Sequence, residues 1–421
     1  MRKTLPIIAF LLSVALQVCA QQKNYDFQEG KLFYKITDAT KQYVQVTTEL
    51  DELLEATGTL YNSPIKGDVA IPANVNYQGK QYTVTGIGDN AFGGCTQVTS
   101  VSMPASITSL GEQVFLSCTG LKRITVDSNN TVLKDVDGVL FDKSGNKLIA
   151  YPNMRAANYD IPEGTVELGA ASFFMCNEIK NINFPPTLKK IGMLAFGICS
   201  KMNEVTIPET VTDLGDFAFY NCTGLEKAII KANISELKRY MFSRCTALKE
   251  VSLPSTIEFI RTWAFGSCAA MKNIKLPDNL KGIEAEAFNG CETLSEITLP
   301  ASLEQIGMYT FDGCKQLKCI TCLRDTPLKG AAMGAGVFEN VDKIACELKV
   351  PKGHRNEYAE AEQWGDFTRI SEHDLSGIST IISQDSNTQT TIFTINGQRL
   401  PNNTQPLHGI YIINGKKVCV K

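Results

Sequence analysis

Cysteine is the residue type in this chain with the most potential chemistry, and nine of its 14 cysteines recur at a fixed spacing. Successive members are 23 residues apart, except that 58 residues separate Cys118 from Cys176. Equivalent residues of a regular repeat stack in a line, so these thiols do not converge on one point as metal ligands must. A nine-membered column also cannot pair completely into disulfides, and a bridge would distort the repeat. We therefore expect reduced, buried thiols at Cys95, Cys118, Cys176, Cys199, Cys222, Cys245, Cys268, Cys291 and Cys314.

A separate C-x-x-C motif stands at Cys319 and Cys322. This spacing can mark a redox centre or half of a zinc site. Counting from Cys314, however, Cys322 takes an inward position of the repeat, whereas Cys319 takes an outward one. Alternate residues of a strand point to opposite faces, which would separate the two thiols. The motif is therefore interpreted as structural.

No other pattern predicts catalysis, a cofactor or a metal centre. The three histidines, His354, His373 and His408, all lie after the repeats and have no metal-ligand spacing. The patterns G-x-S-x-G, H-E-x-x-H and G-x-x-x-x-G-K do not occur, so no set of nucleophile, base and orienting group is indicated. A net charge of −3 provides no basic field for nucleic acid. We predict a protein that is not an enzyme and has no catalytic, cofactor-binding or metal-binding residues.

The repeat that carries the cysteines predicts the fold. After Cys291, apolar residues stand at Leu294, Ile297 and Leu299, and Pro300 follows. Alternation around Ile297 and Leu299 is typical of a strand, which proline ends because it has no N–H to donate. The phrase A-F-x-x-C then predicts a short helical turn that carries a phenylalanine inward. A fixed period of this length indicates a β-rich solenoid with parallel strands.

These repeats resemble the BspA-like (Treponema-type) leucine-rich repeats. The resemblance covers about residues 82–320 and rests on the pattern C-x-x-L-x-x-I-x-L-P-x-x-L-x-x-I-G-x-x-A-F. It implies a leucine-rich repeat solenoid of a kind found in bacterial surface proteins, several of which are adhesins for host matrix proteins or for other bacteria.

Segments on either side of the repeats differ from them in composition. Arg2 and Lys3, followed by an apolar run and Val18-Cys19-Ala20, predict a signal peptide. A polar Gly-bearing turn between Val139-Leu140-Phe141 and Leu148-Ile149-Ala150 predicts a hairpin that bulges from the solenoid. The predicted organisation is a signal peptide at 1–20, an N-terminal cap at 21–81, the solenoid at 82–345 with a hairpin insertion near 127–160, a C-terminal cap at 346–370, a linker at 371–390 and a tail at 391–421.

The tail predicts a small β-domain, because alternating strands are joined by Asn-Gly turns. Its last 30 or so residues, closing on Val418-Cys419-Val420-Lys421, resemble the C-terminal sorting domain of type IX secretion substrates in Bacteroidetes. The resemblance implies a protein that crosses the outer membrane and is then attached at the cell surface or released. A small β-domain of another use is the alternative.

Aromatic residues recur five positions before the repeat cysteine. The column they form contains Phe217, Tyr240, Trp263 and Tyr309, with Glu286 between the last two. Polar residues occupy the same position in other repeats, which favours an outward placement. Such rings could form a partner site or a sugar-stacking platform. The alternative is that they only cover the flank of the core.

Taken together, these patterns predict an exported, non-enzymatic binding protein of the adhesin type at the cell surface or secreted. The expected ligand is a macromolecule of the host matrix or of a bacterial surface, and the binding residues are Phe217, Tyr240, Trp263 and Tyr309. A glycan-binding surface protein that uses the same column is the alternative. Attachment to the outer membrane surface through the tail and release are both open, and nucleic acid is not an expected partner.

Overall fold

The computed structural model describes residues 23–49, 63–373, 392–394, 409–413 and 416–420. The predicted signal peptide at 1–20 and the linker from residue 374 onward lie outside the described residues. So does part of the predicted N-terminal cap. The domain boundaries given above therefore stay predictions.

The N-terminal segment begins with an antiparallel sheet and then turns into parallel stacking. Its strands are β1 (Phe27–Glu29), β2 (Leu32–Asp38), β3 (Tyr43–Thr47), β4 (Lys66–Ala70), β5 (Asn74–Tyr77) and β6 (Lys80–Ile87). Strands β1, β2 and β3 pair antiparallel, whereas β3 and β6 pair parallel. The ring of Phe27 stacks on Tyr77 with centroids 4.4 Å apart. These side chains cover the first edge of the apolar stack, which every solenoid must protect from water.

The first coils place parallel strands on two faces. The strands that follow the N-terminal segment are β7 (Gln97–Met103), β8 (Ser109–Leu110) and β9 (Arg123–Val126). Strand β7 joins β4 to β9 on one face, and β8 pairs with β6 on the other. The chain thus winds as a coil with two strand faces, and the A-F-x-x-C segment closes the third side.

The hairpin predicted near residues 127–160 is present, but it does not bulge from the solenoid. Its strands are β10 (Leu133–Val136), β11 (Val139–Asp142) and β12 (Lys147–Ala150), and β13 (Asn158–Asp160) follows, pairing in parallel with the next repeat. Strands β10, β11 and β12 pair antiparallel. The side chains of Phe141 and Leu148 are buried, and β12 continues in parallel into the next repeats. The insertion therefore replaces missing coils in the stack, because its apolar face completes the same core.

From residue 167 the coils are regular. Their strands are β14 (Glu167–Leu168), β15 (Asn181–Asn183), β16 (Lys190–Ile191), β17 (Glu204–Ile207), β18 (Asp213–Leu214), β19 (Lys227–Ile230), β20 (Glu236–Leu237), β21 (Glu250–Ser252), β22 (Phe259–Ile260), β23 (Gly282–Ile283), β24 (Glu296–Leu299) and β25 (Gln305–Ile306). Glu204 pairs with Lys227, and Lys227 with Glu250, in a parallel register of one repeat. This register confirms the predicted β-solenoid.

The A-F-x-x-C segment differs from the predicted helical turn. It consists of successive hydrogen-bonded turns, in which the N–H of Ser243 bonds the carbonyl of Tyr240 and the N–H of Cys245 bonds that of Phe242. Intervening N–H groups instead bond the next coil, as Phe219 N–H does to the carbonyl of Met241 at 3.0 Å. A helix would satisfy its N–H groups internally, whereas these groups connect neighbouring coils. The inward phenylalanines form a continuous stack, and the rings of Phe196 and Phe219 are 5.2 Å apart.

The stack closes on a capping segment. It contains β26 (Cys319–Cys322), a 3₁₀ turn at Gly330–Ala332, β27 (Glu347–Pro351), helix α1 (Arg355–Ala359) and β28 (Arg369–His373). Trp364 ends the phenylalanine stack edge-on against Phe338, and its indole N–H donates to the carbonyl of Leu328 at 3.0 Å.

A last antiparallel sheet contains β29 (Ile392–Thr394), β30 (Gly409–Ile413) and β31 (Lys416–Val420). Among the described residues, no helix has the length and apolarity needed to cross a bilayer.

Candidate functional site

The cysteine column is interior and reduced, as the sequence predicts. All nine repeat cysteines are buried and free. From Cys199 onward each thiol donates a hydrogen bond to the carbonyl of the phenylalanine in the preceding coil, as Cys222 Sγ does to Phe196 at 3.0 Å. Burial raises the pKa of Cys95 to about 11 and that of Cys291 to about 12. Because the thiolate is the reactive form, these side chains serve packing and coil-to-coil bonding rather than redox chemistry.

The remaining candidate groups do not come together either. In the C-x-x-C motif Cys322 is buried and Cys319 is half-buried, on alternating positions of β26. His373 Nε2 lies 2.9 Å from the carbonyl oxygen of Cys322, and His354 contacts Glu357. The third histidine lies outside the described residues. Within the described part of the chain, no group of three metal-ligating side chains converges.

The column at the fifth position before each cysteine has an unusual backbone. Phe217, Tyr240, Trp263, Glu286 and Tyr309 all adopt left-handed conformations, with φ between 54° and 60°. Bulky side chains seldom adopt positive φ, because Cβ crowds the backbone. Two backbone hydrogen bonds hold Trp263 in this conformation. Its N–H donates to a backbone carbonyl of the next coil, and its own carbonyl oxygen accepts from the N–H of Gly266. The turn therefore directs each side chain of the column to the flank of the coil.

Three of the column's rings form a stack along the solenoid. The centroids of Phe217 and Tyr240 are 4.5 Å apart at an interplanar angle of 4°, and those of Tyr240 and Trp263 are 6.0 Å apart at 5°. Tyr220 adds an edge-on contact to Phe217. All three rings are half-buried. Both faces of Tyr240 are thus covered by neighbouring rings, so the middle of the stack presents ring edges, while Phe217 and Trp263 at its two ends each stack on only one side.

Gly266 makes room for the indole of Trp263. A Cβ built at Gly266 would lie 2.0 Å from Trp263 Cε3, far inside van der Waals contact. The φ of Gly266 is not in the left-handed region, so the missing side chain, rather than backbone freedom, is what this position requires. The Cε3 edge of the indole therefore packs against the turn of its own coil.

Tyr309 stands apart from the three stacked rings. It lies two coils beyond Trp263, and Glu286 occupies the column position between them. Tyr309 is 40% exposed and the neighbouring Met308 is 51% exposed, so both side chains are more open to water than the stacked rings. The predicted set of four aromatic residues thus consists of a stack of three and one separate ring.

Glu286 is the carboxylate of this column. Partial burial raises its pKa above the ordinary value, and the negative charge of Asp312 raises it further. A hydrogen bond from the Trp263 side chain acts in the opposite direction. Asp312 itself accepts hydrogen bonds from the amides of Asn289 at 3.2 Å and Asn340 at 2.7 Å. Sequence reasoning assigned no role to Glu286, Asp312 or Gly266. The sequence offers one indication of these residues: Glu286 interrupts the aromatic column, and the other two stand near that column.

The outward positions of the strand face are charged and paired. Lysines and glutamates one repeat apart form ion pairs, such as Lys227 with Glu250 at 3.3 Å and Lys249 with Glu226 at 3.0 Å. Exposed pairs of this kind contribute little stability, and they neutralise part of the charge on this face. The strand face has the chemistry of a solvated sheet.

Comparison with known proteins identifies the repeats. A family profile described as BspA type leucine rich repeat region matches in six copies, over residues 76–146, 147–272 and 236–356. No curated protein matches the chain at a significant level.

Solved leucine-rich repeat structures are among the proteins that the chain matches. One protein from Eubacterium ventriosum is 22% identical, and the match covers 67% of this chain and 92% of that one with a TM-score of 0.52. A leucine-rich cell surface protein from Faecalibacterium prausnitzii is 19% identical over 70% and 94% of the two chains, with a TM-score of 0.37. A leucine-rich repeat protein of T. pallidum is 22% identical over 57% and 87%, with a TM-score of 0.30.

Proposed function

Because the chain belongs to the BspA-type leucine-rich repeat family, we propose that it is a non-enzymatic binding protein of the adhesin type, displayed at the cell surface or secreted. Leucine-rich repeat proteins generally bind rather than catalyse, because a stack of coils offers a long regular surface and few convergent groups. The proposed ligand is a macromolecule of the host matrix or of another bacterial surface.

The observation that carries this proposal is the aromatic stack of Phe217, Tyr240 and Trp263. Its rings are half-buried and held at left-handed positions, where bulky residues cost conformational energy. Several other coils carry smaller or polar side chains at this position, such as Asn90 and Ala171. The fold therefore does not require rings there. Large, rigid side chains on a flank favour contact with a partner, because little side-chain entropy is lost on binding.

A protein ligand is favoured over a glycan, which is the second candidate. Sugars bind aromatic side chains by stacking on an open ring face. Both faces of Tyr240 are covered by neighbouring rings, and one face of Trp263 is covered by Tyr240. Ring edges with the carboxylate of Glu286 in the next coil are better suited to a peptide surface, which offers both apolar side chains and charges.

We also propose that the tail directs the protein to the cell surface. Strands β29, β30 and β31 form an antiparallel sheet, which is consistent with a separate small β-domain. The support for type IX secretion is the sequence resemblance of the last 30 or so residues. The similar protein from Faecalibacterium prausnitzii is named a cell surface protein, which agrees with this placement.

A binding panel tests the proposed function. The purified protein would be presented to immobilised host matrix proteins, to bacterial surface extracts and to a glycan array, with bovine serum albumin as the blank. Saturable binding to one or more protein ligands is the expected result. Binding to glycans alone would favour the second candidate, and no saturable binding in any arm would contradict both.

A further inference from the structure

The aromatic column lacks one ring. We define the Glu286 slot as the space bordered by Trp263, Glu286, Tyr309 and Asp312. Trp263 has one face covered by Tyr240, so its other face is directed toward the coil of Glu286, where the column has no ring. Trp263 and Tyr309 are two coils apart, which corresponds to about 10 Å between the coils. At the column position between them the Glu286 side chain stands in place of a ring, so no aromatic ring covers the second face of Trp263.

The charge in this slot is not compensated by the protein. Elsewhere the chain neutralises such carboxylates with a lysine one repeat later, as in Glu258 with Lys281 at 2.8 Å and Glu292 with Lys315 at 2.7 Å. In the described part of the chain, neither Glu286 nor Asp312 forms an ion pair with a lysine or arginine. Two neighbouring carboxylates without a cation create a local negative field that favours a positively charged ligand.

Two coils at the slot have no side chain at the position just before the repeat cysteine. The residue just before the repeat cysteine is Arg244 in the coil of Tyr240 and Ser267 in the coil of Trp263. In the next two coils it is Gly290 and Gly313, both with positive φ. The side chain just before the repeat cysteine is thus absent in the two coils that carry Glu286 and Asp312.

From these observations we propose that the Glu286 slot binds an arginine side chain of the protein ligand. The guanidinium stacks on the open face of Trp263 and pairs with the Glu286 carboxylate, so that it takes the place of the missing ring. Arginine suits the slot better than lysine, because its guanidinium is flat, stacks on aromatic faces and matches a carboxylate in two hydrogen bonds. This inference rests on the proposed binding function and specifies the chemistry of its ligand.

Tryptophan fluorescence provides a direct test. The chain has two tryptophans, and Trp364 is buried in the C-terminal cap, so a ligand in the slot changes the emission of Trp263. The probe is the peptide acetyl-Gly-Arg-Gly-amide, titrated into the full-length protein at low ionic strength. The expected result is a saturable change, absent from the Trp263→Phe variant. The matched peptide with citrulline keeps the planar shape but not the charge, and we expect it to bind about tenfold more weakly.

A pair of carboxylate variants completes the test. Glu286→Gln keeps the size of the side chain and should weaken the arginine peptide about tenfold. Glu292→Gln, which removes a carboxylate already paired with Lys315, should leave the affinity unchanged. Equal binding of the arginine and citrulline peptides, an unchanged affinity in Glu286→Gln, or no saturable change would each overturn the proposal.

The outcome separates this inference from the proposed function. If the protein binds a matrix or bacterial protein in the panel but Glu286→Gln binds that ligand as well as wild type, the arginine slot is wrong and the binding function stands. If the arginine peptide binds as expected but no macromolecule does, the slot stands as a site for arginine and the adhesin role is wrong.

Discussion

Glu286 is the residue whose chemistry departs most from its place in the repeat. The pKa of the Glu286 carboxyl is raised in the folded state, so the folded protein binds this proton more tightly than the unfolded chain does. The free energy of unfolding therefore falls as the pH rises from the unfolded pKa through the folded pKa. The penalty is complete above the folded pKa and absent below the unfolded value of about 4.3. We therefore expect Glu286→Gln to raise the melting temperature at pH 7, with the two proteins converging below about pH 4. Thermal melts across this pH range measure the difference.

The matched control for this prediction is Glu292→Gln. Glu292 Oε1 lies 2.7 Å from Lys315 Nζ, so its removal relieves no unpaired charge and should not raise the melting temperature. If Glu286→Gln melts at or below wild type at pH 7, the electrostatic account of Glu286 is wrong. A more stable variant that binds ligand less well is the usual signature of a functional residue.

The cysteine column makes a second prediction at the residue scale. Burial raises the pKa of Cys245 and Cys268, and all nine repeat cysteines are buried, so almost no thiolate is accessible in the folded protein. Alkylation of the folded protein without reductant should therefore leave the nine repeat cysteines unmodified. After unfolding, mass spectrometry should find all nine labelled. Disulfides between successive members of the column would contradict the account.

Sequence reasoning at the residue scale predicted position better than conformation. The period alone placed the cysteines and the phenylalanine ladder in the interior, because equivalent residues of a stack share one environment. It did not predict the left-handed backbone of Trp263 or the hydrogen bond from Cys222 Sγ to the preceding coil. These features depend on which backbone donors and acceptors of neighbouring coils come within hydrogen-bonding distance. The spacing of residues in the sequence does not specify this.

At the scale of the element, the turn that carries Trp263 depends on Gly266. An added methyl group would collide with the indole, and overpacking of this kind typically costs about 1–3 kcal/mol. We expect Gly266→Ala to be destabilised by that amount in urea unfolding. The backbone of Gly266 is itself suited to alanine, so the loss should come from the ring alone.

A double-mutant cycle separates the ring from the backbone. In the Trp263→Ala background the collision is absent, so adding Gly266→Ala should be neutral or slightly stabilising. Equal destabilisation in both backgrounds would mean that the indole does not lie over Gly266. The half-buried, stacked environment of Trp263 would then need revision.

The insertion shows where element-scale reasoning from the sequence stops. The alternation around the polar turn at 142–147 correctly predicted strands β11 and β12. Yet a pattern of apolar residues does not tell a protruding hairpin from one that replaces coils, since both bury one face. The outcome depends on the parallel pairing of β12 with β14, a contact between segments separated by a turn of the stack.

The molecule as a whole is a linear stack in which each coil contacts its neighbours, so a segment beyond the cap is expected to fold independently of it. We expect deletion of residues 391–421 to leave the melting temperature of the solenoid unchanged. In a host with type IX secretion, the truncated protein should remain in the periplasm, as cell fractionation and surface labelling would detect. Surface display of the truncated protein at the normal level would contradict the sorting role of the tail.

The repeat sequence predicts the function of the whole molecule less well than it predicts the fold. Most residues of a coil are selected for packing, so the period identifies a solenoid and the family but carries no information on a ligand. The information lies in positions that vary between coils, such as the column with Trp263 and Glu286. Their significance could be inferred only from the structure, which shows how the aromatic rings, the position of Glu286 and the neighbouring charges are arranged.

The central claim is that the aromatic column, rather than the strand face, is the binding surface. The most direct measurement compares Trp263→Ala with a Glu296→Ala/Thr298→Ala variant of the exposed strand face for affinity toward the ligand found in the panel. We expect Trp263→Ala to lose about fivefold or more in affinity, roughly 1 kcal/mol, with a native fold by circular dichroism, and the strand-face variant to bind like wild type. Full affinity in Trp263→Ala together with lost binding in the strand-face variant would contradict the claim.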